Sequence, residues 1–236
     1  MAQLVFASDP QVTLPIHGTD ARFPVQRVFC LGRNYFWEGA DRSARCWPLY
    51  FMKPSSAVVE AAGSIPYPPM TDEFCHEVEL VVALGKGGRT IPRELALECV
   101  WGYAVGLDLT RRDMQQVAKA AGQPWEAAKA FDAAAPVGPL VAVETGGHHA
   151  KGGIWLSVNG KERQRSDLAE QMWSVPEIIS QLSEYIELRA GDLIMTGTPQ
   201  GVDTLEPGDD LAAGIDGLGS IRVHIGARAT PFSDSE

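Results

Sequence analysis

The chain lacks the marks of membrane or extracellular life. No apolar run approaches the roughly 18 residues a membrane helix needs, and Met1 is not followed by a charged and then apolar leader. Only four cysteines occur, Cys30, Cys46, Cys75 and Cys99, with no C-x-x-C and no zinc-type spacing. A disulfide framework and a thiolate metal site are both excluded on that pattern, and a cytoplasmic protein of a reducing compartment is expected. Positive charge is short as well: 20 Lys and Arg stand against 30 Asp and Glu, a net charge of −10. Nucleic acid is therefore not the expected partner, although a few local cations would suffice for a small acidic molecule. Signatures of nucleotide and serine chemistry are missing too. Gly85-Lys86-Gly87-Gly88 has no P-loop spacing, Gly217-Leu218-Gly219 lacks the third glycine of a dinucleotide loop, and no Gly-x-Ser-x-Gly elbow occurs. His148-His149 sit in a Gly-rich stretch and read as surface residues rather than ligands.

What is present is an ordinary globular balance, 45% hydrophobic and 21% charged. It is enriched in turn formers, with 24 Gly and 16 Pro and no low-complexity run. Many short elements and a β-rich α+β fold follow. Residues 1–26 carry Pro10, Pro15 and Pro24 with little periodicity and read as an irregular N-terminal arm. Strands are expected at Arg27–Leu31, Leu49–Lys53, Glu77–Leu84, Trp101–Leu109, Ile154–Val158, Leu193–Thr196, Leu211–Ile215 and Ser220–Ile225. In Glu77–Leu84 both faces become apolar, so that strand is expected to be interior. Residues 92–99 read as helical. A further helix is expected to start at Thr110 and stop at Gly122, and another to follow the capping box Ser174-x-x-Glu177. Asn159-Gly160 reads as a type I′ hairpin turn. Residues 34–48 mix Phe36, Trp37 and Trp47 with Arg and Asp at no clear period, which suggests a mobile cover. With no repeat and no linker, residues 27–227 form one domain, followed by a flexible tail over 228–236.

The chemistry-bearing pair is Glu77 and Glu79. Two apart on a strand, their carboxylates project to one side at about 7 Å backbone spacing. On a buried face two anions repel and lose hydration, so something positive must offset them. Asp108, ending another interior strand, offers a third carboxylate. Three hard oxygen ligands suit Mg²⁺, Mn²⁺ or Ca²⁺ rather than zinc. Two alternatives stay open at this point: the face is a solvated edge, or Lys53 and Arg112 neutralise it. Gln115 lies on the helix after Asp108, within reach of the same site. Lys129, between Pro124 and Pro136, and Thr196-Gly197-Thr198-Pro199 after a strand are weaker pointers. Glu38 and Asp41 would share a face if their segment were helical, and one of them could act as a general base.

The order and spacing of several stretches resemble the fumarylacetoacetate hydrolase family. They are Gly32-Arg33-Asn34-Tyr35, Phe51-Met52-Lys53-Pro54, His76-Glu77-Val78-Glu79-Leu80, Asp108 through Gln115, Lys129-Ala130-Phe131-Asp132, Thr196-Gly197-Thr198-Pro199 and Pro207-Gly208-Asp209. Within the family the small bacterial fumarylpyruvate hydrolases and acylpyruvases look most similar. The resemblance implies a mixed β-sandwich or β-roll, a homodimer, and a Mg²⁺ or Mn²⁺ site on Glu77, Glu79 and Asp108. It further implies Lys129 as stabiliser of an enolate or oxyanion, Gln115 placing a water, Thr198 holding a substrate carboxylate, and Arg33 and Lys53 near the substrate. The expected substrate is a small 2-keto acid, and no membrane is involved.

One position departs from the pattern. Hydrolytic members carry a histidine shortly after G-R-N-Y, paired with a glutamate three residues on, whereas this chain has Glu38 and Asp41 there and no histidine between His17 and His76. The primary expectation is C–C bond hydrolysis of an acylpyruvate, with Glu38 as base oriented by Asp41. Tautomerisation or decarboxylation of an oxaloacetate-type acid, or dienoate isomerisation or hydration, is the alternative. A metal-containing keto-acid binding protein without catalysis is the third reading.

Overall fold

A computed structural model describes residues 5–7, 9–37 and 39–228. Two β-sheets face one another across the main core. The larger is mixed, with strand order Leu49–Lys53, Val28–Gly32, Leu193–Met195, Val78–Leu84, Val100–Leu107, Ala135–Val137 and Val58–Glu60. Leu193–Met195 runs parallel to Val28–Gly32, Ala135–Val137 runs parallel to Val58–Glu60, and the remaining neighbours are antiparallel. The smaller sheet orders Lys161–Asp167, Gly153–Val158, Asp210–Ile215, Gly219–Arg228 and Ser64–Tyr67. This is the β-rich α+β architecture expected from the turn-former content.

Strand Val78–Leu84 is buried at every residue, as its doubly apolar pattern requires. Leu80 and Val82 face Ile154, Leu156 and Ile221 of the small sheet in the main core. Val81 and Ala83 face the other way, into a second apolar layer with Cys30, Ala104 and Met195. That second layer corrects the reading of residues 1–26. Thr13–Pro15 and Arg22–Pro24 pair antiparallel, and Leu14, Phe23 and Val25 are buried in this layer. Proline hid the hairpin because edge strands tolerate it: Pro15 and Pro24 end their strands, and three-residue strands carry no measurable alternation.

Local rules hold where backbone geometry decides. Asn159 and Gly160 both take positive φ, 51° and 75°, as a type I′ turn demands. Ser174 and Glu177 form the capping box that starts helix Val175–Tyr185. Residues Arg93–Cys99 form a 3₁₀ turn rather than an α-helix. The helix expected from Thr110 begins at Arg112 and runs to Ala121, stopped by Gly122 at φ 63°. Thr110 does not cap it, because Thr110 pairs with Cys75 in a short ladder and turns its hydroxyl toward Glu77 and Asp108. Between residues 34 and 48 the described part holds no helix. The tail at 229–236 lies outside the described residues. Among the described residues no helix is long and apolar enough to cross a membrane.

Candidate metal centre

The register of the two central strands assembles the site. Glu79 stands opposite Gly106, and one step beyond the ladder the Asp108 amide donates to the Glu77 carbonyl at 2.8 Å. Glu77 and Asp108 are thereby neighbours at the open ends of adjacent strands, with Glu79 two residues along on the same side. One carboxylate oxygen from each lies within 4.8 Å of the others, and all three residues are buried.

Three cations reach two of these acids. Lys129, 2% exposed, bridges Glu77 Oε2 at 2.9 Å and Asp108 Oδ2 at 2.7 Å. Lys53, 1% exposed, approaches Asp108 Oδ1 at 2.8 Å and donates to the carbonyls of Leu109 and Lys129. Arg112 Nη2 lies 2.5 Å from Glu77 Oε1. Burial alone would lower the Lys129 ammonium, but Asp108 and Glu77 more than reverse this and hold it above its ordinary value. Burial likewise pushes Asp108 up, and Lys129 and Lys53 together bring it below the usual carboxylate range.

Glu79 is different. It is 2% exposed and accepts one hydrogen bond, from the Gly197 amide at 2.7 Å. No Lys, Arg or His among the described residues forms an ion pair with it. Burial first, then Asp108 and Glu77, pushes its carboxyl well above the ordinary value. An all-oxygen donor set closed by one uncompensated buried carboxylate fits a hard divalent cation, which would supply the charge Glu79 lacks. Gly197 makes its contact possible: at φ 97° a side chain is strained, and a Cβ there would meet Asn34 Cβ at 2.7 Å.

A cavity of about 420 Å³ opens over Glu77 and Arg112, walled by Arg33, Tyr35, Trp37, Cys46, Met172 and the 198–200 turn. That volume suits a small organic acid. Arg33 sits at φ 59°, an uncommon conformation for a side-chain-bearing residue. Asn34 anchors the covering segment: its amide donates to the carbonyls of Thr196 and Trp173, and its carbonyls accept from the Trp173 and Met172 amides. Farther along, the Arg45 guanidinium stacks 3.6 Å from the Trp173 ring centroid and pairs with Glu177 at 3.1 Å.

The structure thus gathers Glu77, Glu79, Asp108, Lys53 and Lys129, links Gln115 to Glu77 through Arg112, and places Arg33 and Thr198 in the cavity wall. Asp41 is not brought in. It is exposed, and its carboxylate accepts from the amide and hydroxyl of Ser43 two residues on, which hold it below its ordinary value. A local Asx turn holds it there. Glu38 lies outside the described residues. The Thr198 hydroxyl donates to the Val78 carbonyl and accepts from Gln164, which leaves it no proton for a substrate carboxylate. One contributor escaped the sequence reading, Gln164, whose carbonyl oxygen is 2.9 Å from His76 Nδ1, while Gly197, a pointer in that reading, brings its amide to Glu79. Arg112 enters that reading only as a neutraliser, yet it also lines the cavity. His148 and His149 line a separate cavity of about 190 Å³, where His148 Nδ1 lies 2.8 Å from the Tyr103 hydroxyl.

Comparison with known proteins agrees with this geometry. Residues 27–226 match the family described as fumarylacetoacetate (FAA) hydrolase C-terminal. The fumarylpyruvate hydrolase of Pseudomonas aeruginosa, solved in complex with Mn²⁺ and pyruvate, superposes with a TM-score of 0.92 at 47% identity, covering 96% of this chain and 100% of that one. The fumarylpyruvate hydrolase of a Ralstonia species is 40% identical over 178 residues, 75% of this chain and 92% of the relative. The mitochondrial oxaloacetate tautomerase FAHD1 of Homo sapiens is 41% identical over 202 residues, 85% of this chain and 91% of the relative.

Proposed function

Since this chain belongs to the fumarylacetoacetate hydrolase family, we propose that it is a divalent-metal-dependent enzyme that hydrolyses a C–C bond of a small acylpyruvate-type 2-keto acid such as fumarylpyruvate. The observation that carries this reading is the buried Glu77, Glu79 and Asp108 cluster beneath a cationic cavity. A cation held by these carboxylates would chelate the keto acid and stabilise negative charge on its keto oxygen. Mn²⁺ is the ion of the Pseudomonas relative; Mg²⁺ meets the same donor set.

Hydrolysis requires water to add to the acyl carbonyl. The bond to the neighbouring methylene then breaks, and its electron pair passes into the pyruvate enolate, which takes up a proton. Lys129, held protonated, is a fixed positive charge and not a base, so its part is to stabilise the oxyanion. Arg33 and Arg112 attract the anionic substrate into the cavity. Glu38 is the proposed base, carried by the covering segment.

A second reading has its own support. The span between His17 and His76 has no histidine, and the human relative is a tautomerase. Enol–keto exchange of oxaloacetate moves a proton and needs no activated water. Mn²⁺-loaded protein incubated with fumarylpyruvate separates the two. Equal fumarate and pyruvate support hydrolysis, whereas loss of enol absorbance from oxaloacetate without cleavage of fumarylpyruvate supports tautomerisation. Glu38→Gln should collapse cleavage and leave Mn²⁺ affinity unchanged; unaltered turnover removes Glu38 from the mechanism.

A further inference from the structure

Gln115 is buried in the first turn of helix Arg112–Ala121, and its side-chain carbonyl is doubly claimed. Arg112 Nη1 donates to Oε1 at 2.5 Å, and Lys119 Nζ, one helical turn on, donates to the same oxygen at 3.1 Å. Both donors are cations, so charge decides which way the amide faces. Turning it over would set its NH₂ group against two positive groups. The Nε2 donors are left with no acceptor among the described residues. Lys119 is itself held in place, its ammonium 4.8 Å from the Trp125 ring centroid. Arg112 in turn grips Glu77, which ties this clamp to the carboxylate cluster.

We infer that Lys119 is a positioning residue: with Arg112 it fixes the polarity of the Gln115 amide, so that Gln115 offers the bound acid N–H donors and no acceptor. The inference rests on the metal-centre reading and specifies what kind of ligand atom Gln115 meets, an anionic or carbonyl oxygen. A water that needs an acceptor for its proton would find none at Gln115.

Oxalate binding to the full-length Mn²⁺-loaded protein, followed by calorimetry, tests this without recourse to turnover. Lys119→Met should weaken oxalate about tenfold, the size of one charge-assisted hydrogen bond, with Mn²⁺ affinity held within about twofold. Lys119→Arg should restore most of the loss. In a Gln115→Met background, Lys119→Met should cost almost nothing further, because the two residues act as one unit. Thermal melts of every variant check that each is folded. Wild-type oxalate affinity in Lys119→Met, or the same tenfold loss with and without Gln115, would overturn the inference. So would Mn²⁺ uptake with no oxalate binding, which leaves the metal centre standing. Failure of the wild-type protein to take up Mn²⁺ would remove the metal-centre reading and this inference together.

Discussion

Replacing Glu79 by Gln should have opposite effects on the metal-free and the metal-loaded protein. Without metal, Glu79 is a buried carboxyl with one hydrogen bond and no ion pair, and burial with its two acidic neighbours opposes its ionisation. The glutamine side chain would keep an oxygen for the Gly197 amide and remove the charge, and its NH₂ would find acceptors in Glu77 and Asp108. A buried group left without compensation costs about 1–3 kcal/mol. For a chain of this length that corresponds to about 2–12 °C in melting temperature. The sign with pH follows from the raised carboxyl. Below the ordinary value of 4.5 the acid is protonated in both folded and unfolded chains and the variant has no advantage. Above that value the unfolded chain ionises while the buried carboxyl resists, so the wild-type protein loses stability and the gap opens in favour of the variant until the raised folded value is passed. Calorimetric melts in a chelator at about pH 4 and about pH 7.5 would measure it. With metal the order reverses, since the variant should lose Mn²⁺ affinity by at least about 100-fold. Asp108→Asn is the internal contrast: it breaks the pairs with Lys53 and Lys129 and should cost about 3–5 kcal/mol in the metal-free protein. A metal-free Glu79→Gln protein that melts below wild type near neutral pH, or that keeps wild-type Mn²⁺ affinity, would refute the reasoning.

Three further outcomes are expected. Lys129→Met should lower kcat by about 10²–10³-fold while Mn²⁺ still binds, because the oxyanion loses its fixed cation and the ligands are untouched; steady-state kinetics beside a Mn²⁺ titration would show it. Glu177→Gln should cost about 1 kcal/mol near neutrality, because glutamine keeps the capping-box acceptor and loses the charge that Arg45 and Ser174 hydrogen-bond. Burial pushes Glu177 up, but hydrogen bonds from Arg45 and Ser174 bring it to about 2, so melts of the two proteins should converge as pH falls from about 4.5 toward 2. Gly197→Ala should destabilise by more than about 1 kcal/mol and weaken Mn²⁺ binding, since the new Cβ collides with Asn34 and displaces the amide that holds Glu79; chemical denaturation and a Mn²⁺ titration measure the two effects.

The acids of the site could be read from sequence because the signal was local. Glu77 and Glu79 alternate onto one side of a strand whose other residues are all apolar, and a buried strand is the easiest element to recognise. Asp108 was legible as the end of a second such strand, although only the antiparallel register sets it beside Glu77. The cations were harder. Lys53 comes from an edge strand and Lys129 from a short turn of helix, and nothing in their neighbours betrays burial of an ammonium group. Lys129 meets Asp108 and Glu77 across 21 and 52 positions of chain, beyond any periodic pattern. The spacing of two acids also says nothing about a serine two residues away whose hydroxyl and amide Asp41 accepts. The hairpin at residues 13–24 was invisible for a different reason: its strands matter as a lid on an apolar layer that only the finished sheet creates.

The three acids and their cations belong to the ends of paired strands and to helices packed on them, whereas residues 33–37 and 39–46 lie over the cavity, tied down at Asn34 and through Arg42 and Arg45 to Glu170 and Glu177. Floor and roof are therefore separable parts. Mutation can exchange the aromatic residues of the roof without disturbing the electrostatic foundation. A lineage built this way can change what befalls a bound acid by rewriting about a dozen residues, and an engineer wishing to redirect this protein should begin there.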